Sequence, residues 1–227
     1  MKKIMFNTPL GLEQAVIDGS KPMTRRFLNV PKRFHGVDAP QLEFHRNANG
    51  IYFDCVLIDD NGYELGQLPL PYEVGEIVAI AQSYKSIIRA SERDENVSRF
   101  LIEKGLMTSG GAINCDLCSC AGYGNKMFVR AEYMPYRILI TDLWFERLQD
   151  ISEEDCMKEG IFLDDTAPSC YHPFYTFQNS VIDETPVGYK TPRLAFASLI
   201  DKVSGRGTWD SNSWVVAYTF ERITYNK

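Results

Sequence analysis

The run Tyr136-Arg137-Ile138-Leu139-Ile140-Thr141-Asp142-Leu143-Trp144-Phe145-Glu146-Arg147-Leu148 carries the strongest β signal in the chain. Side chains alternate along a strand, so Ile138, Ile140, Asp142, Trp144 and Glu146 share one face. Arg137, Leu139, Thr141, Leu143, Phe145 and Arg147 share the other. Apolar groups on both faces predict a strand in a closed or covered sheet. Working outward, Met127 to Tyr133 reads as a strand just before it. Further strands are expected at 3–6, 51–58, 63–68 and 73–81, with a turn at Asp59-Asp60-Asn61-Gly62. Trp214 to Ile223 alternates cleanly and reads as the last strand.

Helices are fewer. Gly11 to Asp18 places Leu12, Ala15 and Val16 on one face, and Gly19 fits the left-handed position that ends a helix. Residues 92–105 predict a helix stopped by Gly105. Ser152 caps another, with Glu153, Glu154 and Asp155 in its positive first turn and Gly160 at its end. Thr191-Pro192 opens a helix with proline at its first position. Leu194, Ala197, Leu199, Ile200 and Val203 are expected on its inner side, and Gly205 ends it. The sum is an α+β class, with a partly open, small mixed β-barrel and flanking helices as the economical architecture. A single domain over residues 1–227 is expected.

The 227 residues carry 24 Lys+Arg against 30 Asp+Glu, a net charge of −6. That balance argues against broad, sequence-blind binding of duplex DNA. No stretch approaches the ~20 apolar residues that cross a bilayer, and Met1 to Pro9 lacks the apolar run of a signal peptide. Six cysteines do not form a secreted disulfide pattern. A cytoplasmic protein with reduced thiols and no membrane partner is expected.

The chemistry-bearing stretch is Gly19-Ser20-Lys21-Pro22-Met23-Thr24-Arg25-Arg26. Pro22 blocks continuation of the helix before it, so Lys21 to Arg26 is expected on a fixed loop. Lys and Arg bring positive charge, and Arg offers a planar fork for phosphate or carboxylate. Lys32, Arg33 and His35 extend the basic stretch. Two readings stay open at this point, a nucleotide or anion pocket and a solvated basic turn. A sharper form makes Thr24 a nucleophile and Lys21 its base, the amine's pKa lowered by burial or by Arg25 and Arg26.

Glu159 is unusual because it sits near the negative end of its helix, where a carboxylate is disfavoured without a positive partner. Cys115, Cys118 and Cys120 could supply thiolates to zinc, but the fourth ligand would have to come from afar, from Cys170 or His172; free loop cysteines are the alternative, and no metal or other cofactor is assigned. Trp209 could stack on a base or plug the barrel end. There is no Gly-x-x-x-x-Gly-Lys loop, Rossmann fingerprint or Gly-x-Ser-x-Gly elbow.

Gly19-x-Lys21-x-x-Thr24-x-Arg26 resembles the opening motif of the ASCH domain, a branch of the PUA-like superfamily. The chain is most similar to ASCH-like proteins of bacteriophages and prophages. Supporting stretches are Phe6-Asn7-Thr8-Pro9, Tyr72-Glu73-Val74-Gly75-Glu76, Arg147 through Asp155, Glu159-Gly160-Ile161 and Trp209-Asp210-Ser211-Asn212. Residues 85–126 and 163–190 fall outside the resemblance and read as insertions. The resemblance implies a small β-barrel with a helix-lined cleft that binds RNA or a modified nucleoside. Lys21, Arg25 and Arg26 would contact phosphate or base. One small bacterial member removes the acetyl group from N4-acetylcytidine, using a lysine, a threonine and a glutamate that match Lys21, Thr24 and Glu159. The resemblance thus implies a catalytic alternative: an amidohydrolase with Thr24 as nucleophile, Lys21 as base and Glu159 as carboxylate. Phage relatives carry an Arg-Glu-x-Trp-like pattern where this chain reads Ala81-Gln82-Ser83-Tyr84, so Gln82 stands as a neutral ligand-binding candidate in place of a carboxylate. A third alternative is a phage protein whose insertions bind a host protein.

Overall fold

The computed structural model describes residues 1–50, 52–165, 173–177 and 187–223. The protein is α+β. The chain forms two compact units, each built from separate stretches: residues 1–17, 77–139 and 221–227 in the first, 18–76 and 140–220 in the second. Among the described residues no closed barrel is seen; the strands fall into separate sheets. No helix among them is long and apolar enough to cross a membrane.

In the first unit Lys3–Ile4 pairs in parallel with Ile77–Ile80, which pairs antiparallel with the start of Arg137–Arg147. The expected strand at 73–81 is therefore shorter, because Gly75, at φ 86°, turns the chain just before it. The helix expected at 92–105 runs over Glu95–Glu103, and a further helix, Tyr84–Ser91, precedes it with no counterpart in the sequence reading. Asp94 caps Glu95–Glu103 by accepting from the Asn96 amide, and a cap is where a helix starts anew. Ile87, Val97, Phe100 and Leu101 are buried, so this part of the 85–126 stretch has a packed apolar core.

The strand expected at Met127–Tyr133 does not form. Lys126–Phe128 and Ala131–Tyr133 are short 3-10 turns. The Lys3 ammonium donates to the carbonyls of Lys126, Met127 and Val129 at 3.2, 2.6 and 2.9 Å. One cation thus gathers carbonyls that a strand would offer to a neighbour. Met127 and Phe128 are 63% and 65% exposed, so their apolar character reflects no core face.

In the second unit Met23–Phe27 and most of Arg137–Arg147 and Trp214–Ile223 lie in one sheet, in the order Arg137–Arg147, Trp214–Ile223, Met23–Phe27. A three-stranded antiparallel sheet joins Gln41–Arg46, Tyr52–Ile58 and Glu64–Gln67; its first strand has no counterpart in the sequence reading. Arg137–Arg147 changes its buried face part-way. Ile138 and Ile140 are buried, then Leu143 and Phe145, while Thr141 and Asp142 between them are exposed. Asp142 accepts the Leu143 amide with its own carboxylate, at 2.8 Å. The apolar groups on both faces arise from this switch.

The helix Pro192–Ser204 buries Pro192, Ala195, Phe196 and Leu199. That is the i, i+3, i+4, i+7 stripe of a helix face. Leu194 and Val203, expected inside, are exposed. Of the 163–190 stretch, Phe162–Asp164 and Phe174–Thr176 form an antiparallel pair; Cys170 and His172 lie outside the described residues.

Candidate functional site

Lys21 follows the helix Leu12–Asp18, which Gly19 ends at φ 86°. The fixed loop expected through Arg26 gives way at Met23 to the strand Met23–Phe27. Its register against the last strand pairs Thr219 with Met23, Tyr218 with Thr24, Ala217 with Arg25 and Val216 with Arg26. Such a ladder satisfies the backbone groups that a loop would leave to water. It also fixes the faces: Met23 and Arg25 point one way, Thr24 and Arg26 the other.

The helix Glu153–Lys158 supplies the other half of the site. Ser152 caps its start, accepting from the Asp155 amide at 3.0 Å, and Glu159 closes its end before Gly160 at φ 101°. Lys21 and Glu159 are 2% and 4% exposed and form an ion pair. The Lys21 ammonium also donates to the Glu159 backbone carbonyl at 2.6 Å. One cation therefore caps the negative end of the helix and neutralises the carboxylate placed there.

Arg25 ties three carboxylates together. Its Nε donates to Glu146 at 2.6 Å, one terminal nitrogen to Glu159 at 3.1 Å and the other to Asp155 at 3.2 Å. Its guanidinium carbon lies 5.9 Å from the Trp144 ring centre, and the Trp144 indole donates to Glu146 at 3.0 Å. Lys158 holds the second Asp155 oxygen at 3.0 Å. The charges of Lys21 and Arg25 are thus matched inside the fold by Glu146, Asp155 and Glu159. This is a closed network and differs from an open basic patch. Glu146 and Asp155 were not nominated as site residues from the sequence. Asp155 had one usable signal: it stands four residues before Glu159, on the same helix face.

Burial pushes the Lys21 pKa down from 10.5, against the pull of Glu159, with Arg26 and Arg25 adding to the downward shift. A depressed lysine in a buried charge cluster is a functional-site signature. Linkage gives the sign of the stability effect. Between the lowered folded value and 10.5 the unfolded chain holds more protons than the folded one, so the Lys21 contribution grows as pH rises. Urea titrations of wild type and Lys21→Met between about pH 7 and 10 are expected to show the difference moving steadily in favour of wild type. A flat difference across that window contradicts a lowered pKa. Tyr72 and Tyr218, both raised mainly by burial, are present in each protein and cancel in the comparison.

Thr24 is buried on the opposite face of its strand, across from Tyr218. Its hydroxyl makes no hydrogen bond to Lys21 among the described residues. Arg26 shares that face; burial lowers its pKa, opposed by Tyr72, Glu159 and Tyr218. Tyr218 donates to the Tyr72 carbonyl at 3.3 Å. The structure therefore joins Lys21, Arg25 and Glu159 and sets Thr24 apart from them.

No family model matches the chain, and neither a curated protein nor a solved structure matches it.

Gln82 belongs to the first unit, two residues after the end of Ile77–Ile80. It is buried, and its side-chain oxygen has no hydrogen-bond partner among the described residues. Trp209 sits edge-on to Phe196 at 6.1 Å with the Arg193 guanidinium 5.2 Å from its centre. The indole is half-buried between these two groups of the protein itself. Cys115, Cys118 and Cys120 are exposed free thiols, and among the described residues no group of three or more His, Cys, Asp or Glu is gathered to hold a metal. Cys156, in the helix Glu153–Lys158, is buried and its thiol is pushed up to about 12, chiefly by burial.

Proposed function

We propose that the second unit is an ASCH-like, PUA-like module that binds RNA or a modified nucleoside at the Lys21–Arg25–Glu159 cluster. The observation that carries the reading is the buried pair of Lys21 and Glu159. Lys21 of the short motif and a distant helix end, linked only by resemblance in the sequence, meet in one network with Arg25. The arrangement favours a neutral or weakly charged group, since the cations are already paired with carboxylates. A nucleobase edge suits it better than a phosphate. Titration with cytidine, N4-acetylcytidine and short RNAs at two salt concentrations is expected to show binding of the nucleosides with little salt dependence. A Lys21→Met variant that binds as wild type does would remove the cluster from the site.

A second reading has its own support. A fully buried lysine with a lowered pKa can act as a base, and Glu159 orients it. In an amidohydrolase Thr24 Oγ would attack the acyl carbonyl while Lys21 Nζ takes its proton. The C–N bond would break, the nucleoside amine would leave with that proton, and water would then hydrolyse the acyl ester. Since Thr24 and Lys21 share no hydrogen bond here, substrate must draw them together. Cytidine release from N4-acetylcytidine is expected to fall by about 100-fold or more in both Thr24→Ala and Lys21→Met. No release from wild type ends the amidohydrolase reading of this substrate and leaves the binding reading standing.

A further inference from the structure

A cleft of 630 Å³ in the second unit shares no residue with the Lys21 network. Small-molecule sites commonly fall between about 300 and 1,000 Å³. Its floor is backbone held in place: Leu28 donates to the Trp214 carbonyl at 3.1 Å and Leu148 to the Ser213 carbonyl at 3.0 Å. Leu28, Val30 and Leu42 give it an apolar side. Ser211 and Ser213, 3.0 Å apart through their hydroxyls, give it a polar side.

The decisive group is Arg147. Its guanidinium carbon lies 4.4 Å from the centre of the Trp214 indole. Trp214 is itself braced by Phe44 at 4.8 Å, and Phe44 stacks on Phe145 at 4.5 Å. Among the described residues the arginine's one hydrogen bond is a long one, 3.4 Å, to the Asn212 carbonyl. Among the described residues no carboxylate pairs with it, and no Asp or Glu lines the cleft. In a chain of net charge −6 that is a local reversal of sign. It contrasts with Arg25, whose donors are taken by three carboxylates. Gln41, on the cleft wall, donates to Asp60 at 3.3 Å.

A guanidinium stacked on an indole, with no carboxylate partner among the described residues, is suited to receive an anion. An oxyanion at the fork would leave the rest of its carrier over the apolar side, with serine hydroxyls and the Gln41 side chain at hand for polar edges. We propose that this cleft binds a nucleoside phosphate, the phosphate on Arg147 and the base against Leu28, Val30 and Leu42. The unit comes either as a free nucleotide or as one residue of a single strand, and the chemistry is shared.

The test uses the full chain. Calorimetry with cytidine monophosphate and inorganic phosphate, and anisotropy with a labelled single-stranded octacytidylate, are run at about 50 and 200 mM salt. Cytidine monophosphate is expected to bind, its affinity falling with salt, and Arg147→Gln to weaken it by about tenfold or more. Arg147→Lys keeps the charge but loses the fork and should fall between. Arg147→Gln should leave the affinity for cytidine, which carries no phosphate, as in wild type, and that separates this site from the nucleoside cluster. An octamer bound about tenfold tighter than the monophosphate identifies a strand as the source; equal affinities identify the free nucleotide. No binding of either at about 1 mM, or Arg147→Gln and Arg147→Lys both binding as wild type, overturns the proposal. Inorganic phosphate competing as well as the monophosphate overturns the nucleotide assignment. Unchanged circular dichroism checks that the variants are folded.

Discussion

Replacing Glu159 with alanine is expected to destabilise the protein by about 3–5 kcal/mol. The carboxylate is buried and receives both Lys21 and one nitrogen of Arg25. Its removal leaves the Lys21 ammonium buried with no counter-charge, while Arg25 keeps Glu146 and Asp155, and an uncompensated buried charge is far more expensive than a missing pair. The Lys21 ammonium keeps only the Glu159 backbone carbonyl, at 2.6 Å. Urea unfolding reads the loss as a lower midpoint at unchanged slope. The apolar double variant Lys21→Met/Glu159→Met should recover part of the loss, because it removes the desolvated charges along with their attraction. A single Glu159→Ala variant within about 1 kcal/mol of wild type would show that the pair is solvated in solution.

The second large effect is Arg25→Met, with an expected loss of about 3 kcal/mol or more. Arg25 is the only group bonded to all of Glu146, Asp155 and Glu159 among the described residues. Without it three carboxylates converge on an apolar side chain, with Lys21 and Lys158 left to hold Glu159 and Asp155. Residues in one ionic network do not act independently, so combining Arg25→Met with Glu159→Ala should fall short of the summed losses by about 0.5–3 kcal/mol. Strict additivity would mean that the two charges act through separate surroundings.

Both variants probe an arrangement that the sequence reached only in part. Lys21 and Glu159 were paired on the strength of a motif resemblance, and they do meet. Glu159 was odd enough on its own, as an acid at a negative helix end, to call for a cation. Arg25 gave no sign that its fork would be consumed by Glu146 and Asp155. A basic run in sequence shows the charges present but not the counter-charges that folding brings to them. Thr24 illustrates the same limit from the other side. It stands one residue before Arg25, and strand alternation turns that single step into opposite faces of a sheet. The stretch Met127–Tyr133 looked as strand-like as Arg137–Arg147, but the Lys3 ammonium, far away in sequence, claimed its carbonyls.

By itself the sequence determined what local physics determines. Ser152 and Thr191 cap their helices, Pro192 sits where no amide is needed, and Gly19 and Gly160 adopt the left-handed turns that end theirs. These signals act within a few residues, so no distant partner can overrule them. The α+β class, the long strand ending at Arg147 and the closing strand from Trp214 followed from the same short-range patterns. Only the tertiary structure decided that Lys21 and Arg25 converge on one carboxylate, that Thr24 faces away, and that Arg147 lies on Trp214 with no carboxylate partner among the described residues. Lys21 and Glu159 are 138 positions apart. Contacts at that separation depend on strand register and on which face a helix turns inward, and those are settled by the packing of the whole unit.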